Sequence, residues 1–116
     1  MSALFFLRLL VAGAFLLAGG SKLVGAKPLA AQFEEFGLPG WSMRVVGVLE
    51  VLGSVGLLLG PLAFWAACGL AGLMFGAVAN HLRVRHPLSK SAPAFILLVF
   101  SAAVAVQESA LSIWRQ

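Results

Sequence analysis

Residues Trp41 to Gly60 read WSMRVVGVLEVLGSVGLLLG, twenty positions with one basic residue near the start and one carboxylate, Glu50, in the middle. At 1.5 Å per residue, a helix of that length crosses about 30 Å of hydrocarbon. Glu50 lies about eight residues into the run, roughly 12 Å along the helix. An ionisable group at such depth costs about 2.5–3.5 kcal/mol on insertion scales, and facing lipid returns nothing for it. The stretch predicts both a membrane span and an inward-pointing side chain that needs a partner.

Three further apolar runs flank it, Ala3 to Val24, Leu62 to Leu82 and Pro93 to Trp114. With 61% hydrophobic and 10% charged residues and a mean hydropathy of +1.02, the chain has too little polar surface to coat a soluble globule. The expectation is an all-α integral membrane protein, one domain over 1–116, with four transmembrane helices in a compact bundle. The first run reads as a retained span, because no basic n-region precedes it and no cleavage motif follows. A single cysteine and a length of 116 residues exclude a disulfide scaffold and a multidomain enzyme. Cys68, between Ala67 and Gly69, reads as a small apolar residue. Eight scattered Lys and Arg without an aromatic-basic stripe exclude nucleic-acid reading.

Between the first two spans, Leu29, Phe33 and Phe36 share one helical face while Gln32, Glu34 and Glu35 fill the other. That pattern predicts a short amphipathic helix lying in the interface, with a lid over a cavity as the alternative. Gly37 and Pro39 end it, and Trp41 anchors the next span at the aromatic belt. Pro61 makes a tight helix-to-helix turn, and Pro93 fits a first-turn position. Lys22, Lys27, Arg44, Arg83, Arg85 and Lys90 lie near the loops of one side, against Arg8 and Arg115 on the other. The positive-inside rule then places the basic loops in the cytoplasm and both termini outside.

Small residues recur at helical spacing. Gly69, Gly72, Gly76 and Asn80 form a groove on the third span, and Gly53, Gly56 and Gly60 one on the second. Ser101, Ala105, Glu108 and Ser112 form a small-polar stripe on the fourth. Helix packing accounts for nearly all of these, and a homo-oligomer fits them too. A slide of 59 positions lays Ala12, Gly13 and Ser21-Lys22-Leu23 on Ala71, Gly72 and Asn80-His81-Leu82, and brings Glu50 within one residue of Glu108. Each half would then be a hairpin followed by a carboxylate-bearing helix.

The carboxylates carry the candidate chemistry. Partners for Glu50 from the same side are Lys22, Asn80 and His81, although Lys22 has the reach to snorkel to the head groups. Arg8 and Glu108 lie at comparable depth toward the other side, where an ion pair would clasp the first and fourth spans. His81 and His86 straddle a helix end with no third ligand at matching spacing, so no metal or haem site is expected, and no flavin motif is present. Glu50, Lys22 and His81 are the candidate catalytic groups for proton transfer, and Asn80, Gly72, Gly76 and Arg8 the candidate ligand contacts.

Arg8-Leu-Leu, Phe15 with Ala18-Gly19-Gly20, and Lys22-Leu23 resemble the first-helix signature of the DoxX and DoxX-like membrane proteins. Phe33 to Pro39 resembles the family's connector, Gly47-Val-Leu-Glu50 its second helix, Leu57 to Gly60 that helix's ending, and Gly76-Ala77 with His81 its third. The likeness spans roughly Arg8 to Phe100. It implies a multi-pass protein of the bacterial inner membrane, among relatives that include the membrane subunit of a thiosulfate:quinone oxidoreductase and partners in oxidative-stress complexes. On matched positions it points to Arg8, Lys22, Glu50 and His81, and to redox work near the quinone pool.

Three functions follow as expectations. The first is a redox-associated subunit holding a quinone-like or other hydrophobic small molecule, isoprenoid in type, between the helices, with a soluble redox partner. The second is a stand-alone enzyme of isomerase or cyclase type that protonates a lipophilic substrate with Glu50. The third is a ligand-free scaffold whose basic loops recruit a soluble partner or anionic lipid.

Overall fold

The computed structural model describes the backbone of residues 3–114 and the side chains of residues 5–110. Five α-helices follow one another: α1 (Ala3–Leu23), α2 (Lys27–Glu35), α3 (Trp41–Leu58), α4 (Ala63–Arg83) and α5 (Leu88–Trp114). Four of them contain stretches long and apolar enough to cross a bilayer, Phe5–Leu23, Gly40–Leu58, Gly60–Arg83 and Leu88–Ala110. The chain is a multi-pass membrane protein built as an all-α bundle. Its longest dimension, 46 Å, matches the roughly 40–45 Å of a bilayer with its head groups.

Each long helix buries a stripe spaced by threes and fours. On α3 the stripe is Met43, Gly47, Glu50, Ser54 and Leu57, and on α4 it is Ala63, Ala67, Leu70, Met74 and His81. This spacing sets long helices nearly parallel. The outward faces, with Leu10, Leu17, Trp65 and Phe75, are apolar and exposed, as lipid contact requires. Around the ring, α1 packs on α3, α3 on α4, α4 on α5, and α5 closes on α1 along the sparsest seam; α1 and α4 stand diagonally opposite.

Only some glycines serve this packing. A Cβ on Gly19 would come within 2.8 Å of the Gly47 carbonyl, and one on Gly47 within 2.9 Å of the Gly19 carbonyl, so α1 and α3 meet backbone to backbone. Gly53 and Gly56 likewise admit Leu70 and Ala66 of α4. Gly69, Gly72 and Gly76, expected to seat a neighbouring helix, have nothing within 4 Å of a Cβ position, and neither has Gly60. The groove of α4 is open.

Three helices end in the same way. At α1, α2 and α4 the residue two past the last helical one takes a positive φ, 74° at Gly25, 74° at Gly37 and 58° at Arg85. The next amide then bonds back to the third-last helical carbonyl: Ala26 to Ser21, Leu38 to Phe33 and His86 to His81. This is the Schellman cap, and Pro28, Pro39 and Pro87 follow within two residues to keep the helix from continuing. One boundary differs from expectation. The last helix starts at Leu88, so Pro93 stands inside it, a turn beyond the first-turn position and at the cost of one ladder bond. Ser112's side chain and Arg115 lie outside the described residues.

The α3–α4 turn, a short 3₁₀ segment over Gly60–Leu62, leaves a particular vacancy. The Leu57 carbonyl would normally accept from residue 61, but Pro61 has no N–H. Arg8 fills the role, donating from Nε at 2.9 Å and Nη2 at 2.6 Å.

Candidate functional site

A cavity of about 600 Å³ lies inside the end of the bundle that carries the α1–α2 and α4–α5 loops. All five helices line it at the spacing of one face. From α1 come Leu17, Ala18, Ser21 and Lys22; from α3, Val46 and Glu50; from α4, Gly72 to Met74, Gly76, Ala77, Asn80 and His81. The α5 wall is Lys90, Pro93, Ala94 and Leu97. Gly72 and Gly76 make space by lacking side chains, and Leu17, itself 76% exposed, puts part of the wall at the lipid surface.

The apolar face of α2 does not lie flat on the membrane. Leu29, Phe33 and Phe36 turn into the bundle and line the cavity, with Phe33 and Phe36 buried. The helix is therefore a lid. Its far end is clamped: Arg83 donates to the Phe36 carbonyl and, at 2.9 Å, to Asn80 Oδ1. Glu35 accepts from His86 Nε2 at 2.8 Å and has Lys90 Nζ at 3.9 Å. The hydrogen bond from His86, with Lys90 and His86 charge beside it, holds the Glu35 carboxyl below the usual carboxylate range.

Glu50 is fully buried in the cavity wall, with Lys22 Nζ 2.7 Å from its Oε1. Lys22 thus pairs inward instead of snorkelling to the head groups. The contact has ion-pair distance without the alignment of a directional hydrogen bond, and Oε2 has no partner. A buried carboxylate oxygen without a donor is expensive, and this one belongs to a residue of the cavity wall. The Lys22 ammonium, the Glu50 carboxyl, Asn80 and His81 line a chamber that is mostly apolar, with Ser21, Gln32 and Lys90 as its other polar residues. Asn80 Nδ2 is engaged with the Gly76 carbonyl at 3.0 Å.

Arg8 is not part of this wall. At the other end of the bundle its Nη1 lies 3.4 Å from Glu108 Oε1, and its remaining donors serve Leu57. Of its two sequence-derived roles, ligand contact and ion pair, the geometry provides for the second. Gln107 is exposed, and Cys68 is exposed toward the outside of α4. Among the described residues no group of three or more His, Cys, Asp or Glu has metal-holding geometry.

The residues that sequence reasoning passed over are Glu35, His86, Arg83 and Lys90. His81 and His86 were expected to straddle the helix end, yet their Nδ1 atoms are 2.8 Å apart and their ring centroids 5.0 Å. The Schellman cap explains it, since it brings the residue after the positive-φ position back onto the third-last helical residue. Phe36 stacks edge-on against His81 at 5.1 Å. A positive φ at an arginine is what hid this signal.

The DoxX-like family model matches residues 6–104. The chain belongs to the DoxX-like family. Its match covers the whole cavity wall and the lid, as well as Arg8, but stops short of Glu108. No curated protein and no solved structure matched the chain.

Proposed function

We propose that this DoxX-like protein is a redox-associated membrane subunit holding a hydrophobic small molecule of the quinone class in the cavity beneath α2. The observation that carries the reading is Glu50 Oε2, a fully buried acceptor without a protein donor, set in the wall of an apolar cavity. At about 600 Å³ the cavity is within the ordinary range for small-molecule sites. It holds a ring and the first part of an apolar tail, and Leu17 marks where a longer tail would pass into lipid.

A bound quinone supplies two-electron, two-proton chemistry at its ring oxygens. The chain supplies the surroundings. Lys22 offers donors to a carbonyl oxygen, and Glu50 accepts from a ring hydroxyl or, when protonated, donates to a carbonyl. Gly72 and Gly76 let a flat ring lie against the backbone of α4, while Phe33 and Phe36 exclude water from above. In this orientation of the chain the basic loops face the cytoplasm of a bacterial inner membrane, where a soluble redox partner would dock.

The test is extraction. Protein purified in mild detergent is stripped with organic solvent and the extract chromatographed; about one quinone or isoprenoid per chain is expected, and none in the Gly76→Leu variant, whose side chain fills the cavity. A folded wild-type protein that yields no such compound and takes up none of an added decyl benzoquinone would refute the assignment. The stand-alone enzyme and the ligand-free scaffold would then be the readings left standing.

A further inference from the structure

Glu35, His86 and His81 form an unbroken line from the surface of the lid to the cavity. Glu35 is half exposed, His86 is nearly covered, and His81 is buried in the cavity wall. The two links are 2.8 Å each, Glu35 Oε2 to His86 Nε2 and His86 Nδ1 to His81 Nδ1. The tautomers follow from the donor inventory. An ionised carboxylate only accepts, so His86 Nε2 carries a proton. A neutral His86 then has a bare Nδ1, which accepts from His81 Nδ1–H. His81 Nε2 is left as an unprotonated base on the ring that faces the cavity.

We propose that Glu35, His86 and His81 are a proton wire serving the cavity, with His81 Nε2 its inner terminus and Glu35 its outer one. The inference deepens the ligand-binding reading and takes its purpose from it. A proton leaving a hydroxyl in the cavity adds to His81 Nε2 as the Nδ1 proton passes to His86 Nδ1. The Nε2 proton of His86 passes in turn to Glu35, whose carboxyl releases it to water. Four N–H or O–H bonds form and four break, counting the release from Glu35 to water; one proton enters and one leaves, and no electrons move. The reverse sequence delivers a proton inward.

The surrounding charges allow this traffic. From α5, Lys90 lies 3.9 Å from Glu35 Oε1 and also lines the cavity. From α4, Arg83 is occupied by Asn80 and the Phe36 carbonyl. From α1 and α3, Lys22 and Glu50 are bound to each other. Among the described residues no other charged side chain stands in the line between Glu35 and His81. The clamp on the lid and the wire thus share the Glu35–His86 bond, so the wire is intact when α2 is closed.

The chain has two histidines, which makes the measurement direct. The full-length protein, labelled with ¹⁵N-histidine, stripped of bound organics and placed in lipid nanodiscs, is examined by NMR. A through-bond coupling between the two Nδ1 nuclei is expected, as is fast exchange of the His81 proton with solvent by relaxation dispersion. Glu35→Gln and His86→Phe should each slow that exchange at least tenfold. Arg83→Gln, which removes the donors to the Phe36 carbonyl and Asn80 but leaves both links of the wire in place, should leave it unchanged. Absence of the coupling, exchange as fast in Glu35→Gln as in wild type, or equal slowing in Arg83→Gln would overturn the proposal. If His86→Phe does not fold, Glu35→Gln decides alone. Because no ligand is present, the outcome is independent of whether extraction yields a quinone.

Discussion

Replacing Lys22 by Met removes the only cation found beside Glu50 among the described residues, while keeping the length of the side chain. At 2.7 Å the pair attracts by about 6 kcal/mol for an effective dielectric near 20. Part of that offsets the desolvation of a carboxylate with no exposed surface, so the pair adds little net stability over an apolar pair, whereas a lone partner is costly. Lys22→Met should therefore destabilise the bundle by about 3–5 kcal/mol, the usual loss when a buried pair keeps one charge. Glu50→Gln should cost less, about 1–3 kcal/mol, because Lys22 retains some exposure and a long stem to re-aim its head. The double variant should lose only about 2–4 kcal/mol against roughly 4–8 for the summed singles, a coupling energy of about 2–4 kcal/mol in a double-mutant cycle. Reversible unfolding in mixed micelles measures all four proteins. Additive losses, or a Lys22→Met protein as stable as wild type, would show that the two groups do not neutralise each other.

Other outcomes rest on the same geometry. Gly72→Leu and Gly76→Leu meet open space and should fold at wild-type stability or better, while lowering retention of a decyl benzoquinone at least tenfold by equilibrium dialysis. Gly47→Ala, whose Cβ meets the Gly19 carbonyl, should destabilise by about 1–3 kcal/mol in the same unfolding assay. Arg8→Ala leaves the Leu57 carbonyl without its donors and Glu108 without its cation and should cost about 2–4 kcal/mol, not restored by Lys, which lacks the fork. The lid should also respond to acid. Because the folded Glu35 carboxyl sits below its ordinary value, its contribution is complete above the unfolded carboxyl range and disappears as pH falls through the folded value. Protection of α2 amides, corrected for intrinsic exchange, should drop in wild type as pH falls below the ordinary carboxylate range and be low at every pH in Glu35→Gln.

The spans were legible because length and hydropathy decide them, and Glu50 was legible because a charge in hydrocarbon has only one tolerable direction. The threes-and-fours stripe of α3 carries that direction in the sequence itself. The features that were not legible depend on contacts across the chain. The glycines of α3 and α4 look alike in sequence, yet Gly53 and Gly56 meet a neighbouring helix and Gly72 and Gly76 do not. The face of α2 reads equally well as membrane-facing or bundle-facing, since both are apolar. The histidine pair required knowing that Arg85 takes the left-handed conformation, which arginine rarely signals.

The cavity itself arises from a difference between the two halves. Lys27-Pro28-Leu29 after α1 and His86-Pro87-Leu88 after α4 are 59 positions apart and start corresponding helices. In the first half, Gly37 and Pro39 stop that helix after nine residues, and the chain restarts as α3. In the second, the positions 59 later are Ile96 and Leu98, so nothing stops the helix and α5 runs on for 27 residues. The break frees α2 to fold across the end of the bundle, and it resets the depth of every residue on α3. Glu50 comes to lie beside Lys22, late in α1, while Glu108, nearly its counterpart in sequence, is carried along α5 to Arg8, early in α1. Closing that break with Gly37→Ala and Pro39→Ala should let α2 and α3 fuse, pulling Phe33 and Phe36 off the chamber. The fused protein should keep the Arg8–Glu108 clasp and lose both quinone retention and the fast exchange of the His81 proton with solvent. If it retained them, the lid would owe its position to the clamp from α4 and not to the interruption in the helix.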